Sequence, residues 1–160
     1  MNLADLQAQV VRKLQAFTPL LGVTIIAHDG TDGFIESSKE RTAALTSGSM
    51  GCCITVMPII SDGLIQSGVT GESSAVILSV GIGVAIEENV RICRSQGAGI
   101  PAETMLQHVF AAVLGPLEGD ELFGSTIGLA DPPFENLGNS KGVQAFIAAF
   151  SVPLTITPTS

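Results

Sequence analysis

Two histidines, three cysteines and a few clusters of acids are the side chains here whose types invite a chemical reading. His28 opens the run HDGTDG, where Asp29 and Asp32 could join it around a cation. That run is shorter than a calcium loop and lacks the closing glutamate, so an ordinary turn accounts for it. His108 is far from His28 in sequence and lies beside the apolar stripe of a helical pattern, which suits a helix surface or an interface better than a ligand set. Gly81-Ile82-Gly83 lacks the third glycine of a dinucleotide fingerprint and lies inside an apolar run instead of opening a helix, so its role reads as structural. No lysine follows a glycine-rich loop as in a phosphate-binding P-loop, and no G-x-S-x-G elbow supports a hydrolase triad. No catalytic, cofactor-binding or metal-ligating set is therefore expected, and the chain reads as a non-enzyme.

The remaining candidates concern packing and partners. Cys52, Cys53 and Cys93 are odd in number, two are adjacent, and no C-x-x-C occurs. Adjacent cysteines bridge each other only with strain, and all three lie in apolar runs, so buried, reduced thiols are expected. Glu118, Asp120 and Glu121 place three acids within four residues of a Gly- and Pro-bounded segment. They read either as a solvated loop or as charge facing a partner or a lumen. Glu87 and Glu88, followed by Arg91 and Arg94, read either as ordinary surface ion pairs or as a subunit-interface patch.

Composition narrows the function further. The chain has 160 residues, 46% of them apolar, a net charge of −8 and no Trp or Tyr; mean hydropathy is +0.47. That size suits a single domain over residues 1–160 with a substantial core, and the apolar content excludes intrinsic disorder. Duplex binding rests on cations neutralising phosphates, so an acidic chain argues against a nucleic-acid face. Scarce aromatics argue against base stacking. The acidity serves solubility, or a surface that nucleic acid passes without adhering. No apolar run approaches the roughly 20 residues of a membrane span, and the N-terminus has no signal-peptide pattern.

The elements that carry these residues follow from periodicity. Leu3, Leu6, Val10, Leu14 and Phe17 mark one helical face, with Asn2 as its cap and Pro19 as its stop. Leu20–Ala27 reads as a strand, and Glu36–Leu45 as a short helix or a long loop. Gly51–Ile60 reads as a strand that Pro58 confines to an edge or a bulge. Ser61–Ser74 reads as a hairpin tip or a flexible loop. Ala75–Ile86, apolar on both faces, reads as a central strand, after which Glu87–Gly99 leaves the sheet. Pro101–Gly115 reads as a helix with a buried stripe of Leu106, Val109, Phe110, Val113 and Leu114. Glu118–Ser140 reads as mostly loop with a short strand at Ser125–Leu129, and Val143–Ile156 as a long, edge-pairing strand. Together they predict an α+β fold: a mainly antiparallel sheet with helices packed on one face.

Four of these segments carry a resemblance: LQAQVVRKLQAF, VILSVGIGVAIEENVR, MLQHVFAAVLG and VQAFIAAFSVPLTI. The arrangement resembles the tail terminator, or tail completion, proteins of long-tailed bacteriophages. The resemblance implies a structural virion protein, assembled in the host cytoplasm, that forms a hexameric ring at the neck of the particle. Such a ring caps the tail tube, stops its polymerisation and joins the tail to the head–tail connector. The implied partners are other copies of the chain, the tail tube protein and the connector or neck proteins. DNA would pass through the lumen without specific binding, with no cofactor and no membrane involved. The alternative is a small cytoplasmic oligomeric enzyme or ligand-binding protein with sites at subunit interfaces.

Overall fold

A computed structural model describes residues 3–28, 39–47, 50–70, 73–96, 99–117 and 126–156. Helix α1 (Leu3–Ala16) fully buries Leu6, Val10 and Leu14 at four-residue spacing. Asp5 in its first turn and Lys13 in its last complement the helix dipole. A 3-10 turn at Thr18–Leu20 carries Pro19, and Gly22 adopts a left-handed φ of +88°. These turns consume the front of the expected Leu20–Ala27 strand, so β1 spans only Thr24–Ala27. Helix α2 (Lys39–Thr46) and strand β2 (Cys52–Val56) follow.

The longest elements are β3 (Ile60–Thr70), β4 (Ser73–Asn89), β6 (Thr126–Ser140) and β7 (Val143–Ile156). Between them lie α3 (Val90–Gln96), α4 (Ala102–Val113) and the short β5 (Gly115–Pro116). The described strands form one sheet in the order β1-β2-β4-β7-β6-β5. Only β1–β2 is parallel. Strands β2 and β3 run end to end along the same edge of β4, against residues 84–88 and 73–81 respectively. Pro58 sits in the break between them, where no ladder donor is needed.

Two expectations are overturned here, and for Ser61–Ser74 the hairpin alternative holds over the loop. Residues 60–70 form a strand paired along β4 instead of a flexible loop, because the ladder is made by backbone and tolerates Gly63 and Gly68. Residues 126–140 form β6 instead of mostly loop. The register jumps between Leu129 and Phe134, so Pro132 and Pro133 fall in the irregularity and interrupt no regular ladder. Strand β7 is not at an edge: it pairs with β4 from Val143 to Ile156 and with β6 on its other side.

The main core lies between the sheet and the α1/α4 layer. Cys52, Ile54 and Val56 of β2, Val80, Ile82, Val84 and Ile86 of β4, and Phe146, Ala148, Phe150 and Val152 of β7 share that face. Helix α4 meets it with Ala102, Met105, Leu106, Val109 and Val113. Its stripe is thus rotated from the expected one: Phe110 is half-buried and Leu114, past the last turn, is exposed. Helix α2 departs from the single helical face. Its Ala44 and Leu45 pack on Cys53, beside Ile26 and Val143, on the opposite side of the sheet. The result is the expected α+β fold with a mainly antiparallel sheet, one end of which carries helices on both faces.

Candidate functional site

Strand alternation sends successive side chains of β4 to opposite faces, and at Glu87-Glu88-Asn89 both faces are covered. Glu88 is fully buried on the α1/α4 side. Its carboxylate accepts hydrogen bonds from Arg94 Nε and Nη2, both at 3.3 Å, and from the Ala102 N–H at 3.2 Å. Burial alone would raise the Glu88 carboxyl. The hydrogen bonds from Arg94, the Cys93 thiol and Ala102 outweigh it and hold the group below its ordinary value. Glu87, 3% exposed on the other face, is gripped bidentately by Arg41 of α2, with Arg41 Nε at 2.5 Å from Oε1. That contact raises the Arg41 guanidinium against the opposing effect of burial. Asn89 donates to the Leu45 carbonyl at 2.7 Å and accepts from the Ile92 N–H at 3.3 Å, which caps the start of α3. Three consecutive side chains thus tie β4 to α2, α3 and the start of α4.

Of the two readings of Glu87, Glu88, Arg91 and Arg94, this corrects the one as ordinary surface ion pairs: Glu88 does pair with Arg94, but Glu87 pairs with Arg41 instead. Both carboxylates are buried and engaged within the chain. Arg94, half-exposed, is held by Glu88 and lies 3.6 Å from Glu103, and Arg91 is exposed. Arg41 is invisible to a local reading, since it lies 46 residues from Glu87. The one signal is a pair of acids closing an otherwise apolar strand.

The three thiols are buried and unbridged. Cys52 Sγ donates towards the Met50 and Ile100 carbonyls at 3.2 and 3.3 Å. Cys53 faces the α2 side, 4.0 Å from Thr55 Oγ1. Burial pushes Cys53 up to about 11 and also raises Cys52 and Cys93, the last reinforced by the Glu88 carboxylate. All three are protonated at neutral pH and poorly nucleophilic. His28 is placed at the end of β1, where its backbone accepts from Gln7 at 2.7 Å and donates to Val56 at 2.9 Å. Asp29 and Asp32 lie outside the described residues, as do Glu118, Asp120 and Glu121. His108 is half-buried with its ring 6.0 Å from that of Phe17. Among the described residues, no group of three or more His, Cys, Asp or Glu could hold a metal ion.

Two surface hollows are lined by described residues. One, of about 340 Å³, lies between α1 and α4 and is lined by Gln9, Arg12, Lys13, Ala16, Phe17 and Ala112. The other, of about 290 Å³, is bordered by Ile60, Gly81, Gly83, Asp131, Glu135 and Ile147 among others. In register, Gly83 lies opposite Ala149 and Glu135 opposite Ile147. These residues alternate with the ones that face α1 and α4, so the second hollow opens mainly on the other side of the sheet. At its rim Ile60 is 64% exposed. Compared with known proteins, the chain matches no family model and no curated sequence.

Proposed function

We propose that this chain is a structural subunit of a ring, in keeping with the tail-terminator resemblance: a hexameric cap that ends a phage tail tube and joins it to the head–tail connector. The observation that carries the reading is the half-dressed sheet. Among the described residues, strands β3, β4, β6 and β7 run on beyond the part of the sheet that α2 covers, and exposed apolar side chains lie there on both faces: Ile60, opposite Gly81, on the α2 side, and Leu129 and Phe134, opposite Phe150 and Ala148, on the α4 side. Exposed apolar groupings of this kind mark surfaces that meet other proteins. A subunit in a closed ring needs two different surfaces that fit each other, one per neighbour, and closure of the ring removes them from further growth. Capping would then follow from geometry: the last ring offers the next tube ring no matching edge. The acidic balance of the chain suits a lumen that DNA must traverse without adhering.

No helix among the described residues is long and apolar enough to cross a membrane, and placement in the virion neck belongs to the proposal. Native mass spectrometry of the purified chain tests it. A hexamer without ligand supports the ring. A ligand-bound dimer or trimer would support instead an oligomeric enzyme or binding protein with sites between subunits. A monomer at every concentration would defeat both.

A further inference from the structure

We infer that copies of this chain meet head to tail, the basic hollow between α1 and α4 of one copy receiving the acid-rimmed bare sheet of the next. The inference deepens the ring reading and rests on it. The two surfaces lie on opposite sides of the subunit, as a heterologous contact requires. Their charges are complementary. The chain has only seven Lys and Arg against fifteen Asp and Glu, yet two of the cations, Arg12 and Lys13, sit side by side on the helical hollow. They make no ion pair among the described residues, whereas Arg41 and Arg94 are both engaged by buried glutamates. Across the molecule, Asp131 and Glu135 border the other hollow, both exposed and without a cationic partner among the described residues.

Each hollow also has an apolar floor. Phe17, Ala16 and Ala112 line the first; Ile147, Ala149 and exposed Ile60 line the second. Burying those floors against each other supplies the area-dependent attraction, and the rim charges fix register and orientation. Because the two surfaces lie on opposite sides of the subunit, both cannot be satisfied at once in a two-fold dimer. Each copy keeps one free surface until a ring closes. In a chain of net charge −8 this basic spot is a place where a second copy can approach without like-charge repulsion.

Charge reversal with rescue tests the contact, read by native mass spectrometry and light scattering on the full chain at low and high salt. R12E/K13E should shift the assembly to monomer, raising the concentration for half-assembly at least tenfold. D131K/E135K should do the same. Because Asp131 adjoins a proline, E135K alone is the second variant for that side. Combining R12E/K13E with E135K should restore assembly in part, and with D131K/E135K more fully. K39E/K141E reverses two exposed lysines elsewhere and adds the same net charge; it should assemble as the parent does. Thermal melting confirms that each variant is folded. If the parent assembles and R12E/K13E assembles equally well, the ring reading stands and this contact is wrong. Loss of assembly without rescue in the combined variants, or equal loss in K39E/K141E, also overturns it, as does tight binding of another acidic protein to Arg12 and Lys13 while self-assembly is unchanged. A parent that stays monomeric overturns both readings.

Discussion

The two ends of strand β4 contrast sharply. From Val84 to Asn89 it runs between two layers, with α3 and α4 on one face and α2 on the other. From Ser79 to Gly83 the helices lie on one face, and among the described residues no helix covers the other, which carries Gly81, Gly83 and their small neighbours on β7. Where both faces are covered, the strand buries two carboxylates and gives each an arginine. Where no described helix covers the second face, it places no charge there and sets small side chains on it. Covering a sheet face ties polar groups to internal partners, because an unpaired buried charge costs several kcal/mol. Leaving it bare keeps surface available for another protein. The first end holds the fold together; the second is free for assembly.

The largest expected effect comes from the core that both ends share. Phe150 is fully buried and its ring stands edge-on to Phe110 at 5.7 Å. Phe150→Ala should cost about 4 kcal/mol, by transfer and cavity together. Phe134 belongs to the same aromatic chain, 6.4 Å from Phe110 and 6.3 Å from Phe146, but is half-exposed. Its replacement by Ala should cost about 1 kcal/mol. Urea unfolding of both variants checks this; equal losses would erase the contrast between the buried and the exposed end of this aromatic chain.

Glu88→Ala comes next, at about 3 kcal/mol. It strands the buried Ala102 N–H and removes the group on which Arg94 and Cys93 converge. A loss under about 1 kcal/mol in the same assay would mean that the two-layered end does not depend on its buried acid.

A smaller, pH-dependent part of that loss can be isolated. The Glu88 carboxyl titrates lower in the folded chain than in the unfolded one. Its ionic contribution is therefore complete above the unfolded value, about 4.3, and is lost as pH falls through the folded value. Melting temperatures of the parent and Glu88→Gln should differ by a constant amount from pH 7 to pH 5, and the gap should narrow below about pH 4. A gap that stays constant to pH 3 would contradict the paired carboxylate.

How much of this could be read in the sequence depends on how far each residue's partners lie. Helix α1 and the alternation of Phe146, Ala148, Phe150 and Val152 on β7 are local patterns, and both were legible. The centrality of Ala75–Ile86 was legible too, because it is apolar on both faces. Strand β6 was hidden by Pro132, Pro133 and Gly138, residues that usually punctuate loops; only the neighbouring β7 ladder makes a strand of them. The central position of β7 was hidden for the same reason, since its second neighbour went unseen. Alternation says that Glu87 and Glu88 face opposite ways. It cannot say that α2, which has a weak apolar face of its own, covers one side and delivers Arg41. Nor did any local pattern point to Arg12 and Lys13, whose interest comes from the hollow that α4 completes beside them.

The smallest expected effect on folding bears most directly on the bare end. Ile60 and Leu129 are more than half exposed, and neither belongs to the main core. Little apolar area returns to water when either is replaced, so Ile60→Ser and Leu129→Ser should each change monomer stability by no more than about 0.5 kcal/mol. If the α2-side face meets a second copy, Ile60→Ser should weaken association measurably, because the apolar area is then lost from an interface and not from solvent-exposed surface, whereas Leu129→Ser, opposite Phe150 on the α4 side, should weaken it less. Two measurements on one sample separate the possibilities: urea unfolding at a concentration where the chain is monomeric, and light scattering across a dilution series. Unchanged unfolding with weakened association marks the face as built for a partner. Loss of stability in the dilute monomer would instead mean that these side chains support the β3–β4 hairpin and the bulge of β6. The bare end would then serve the fold no less than the covered one does, and the distinction between the two halves of β4 would collapse.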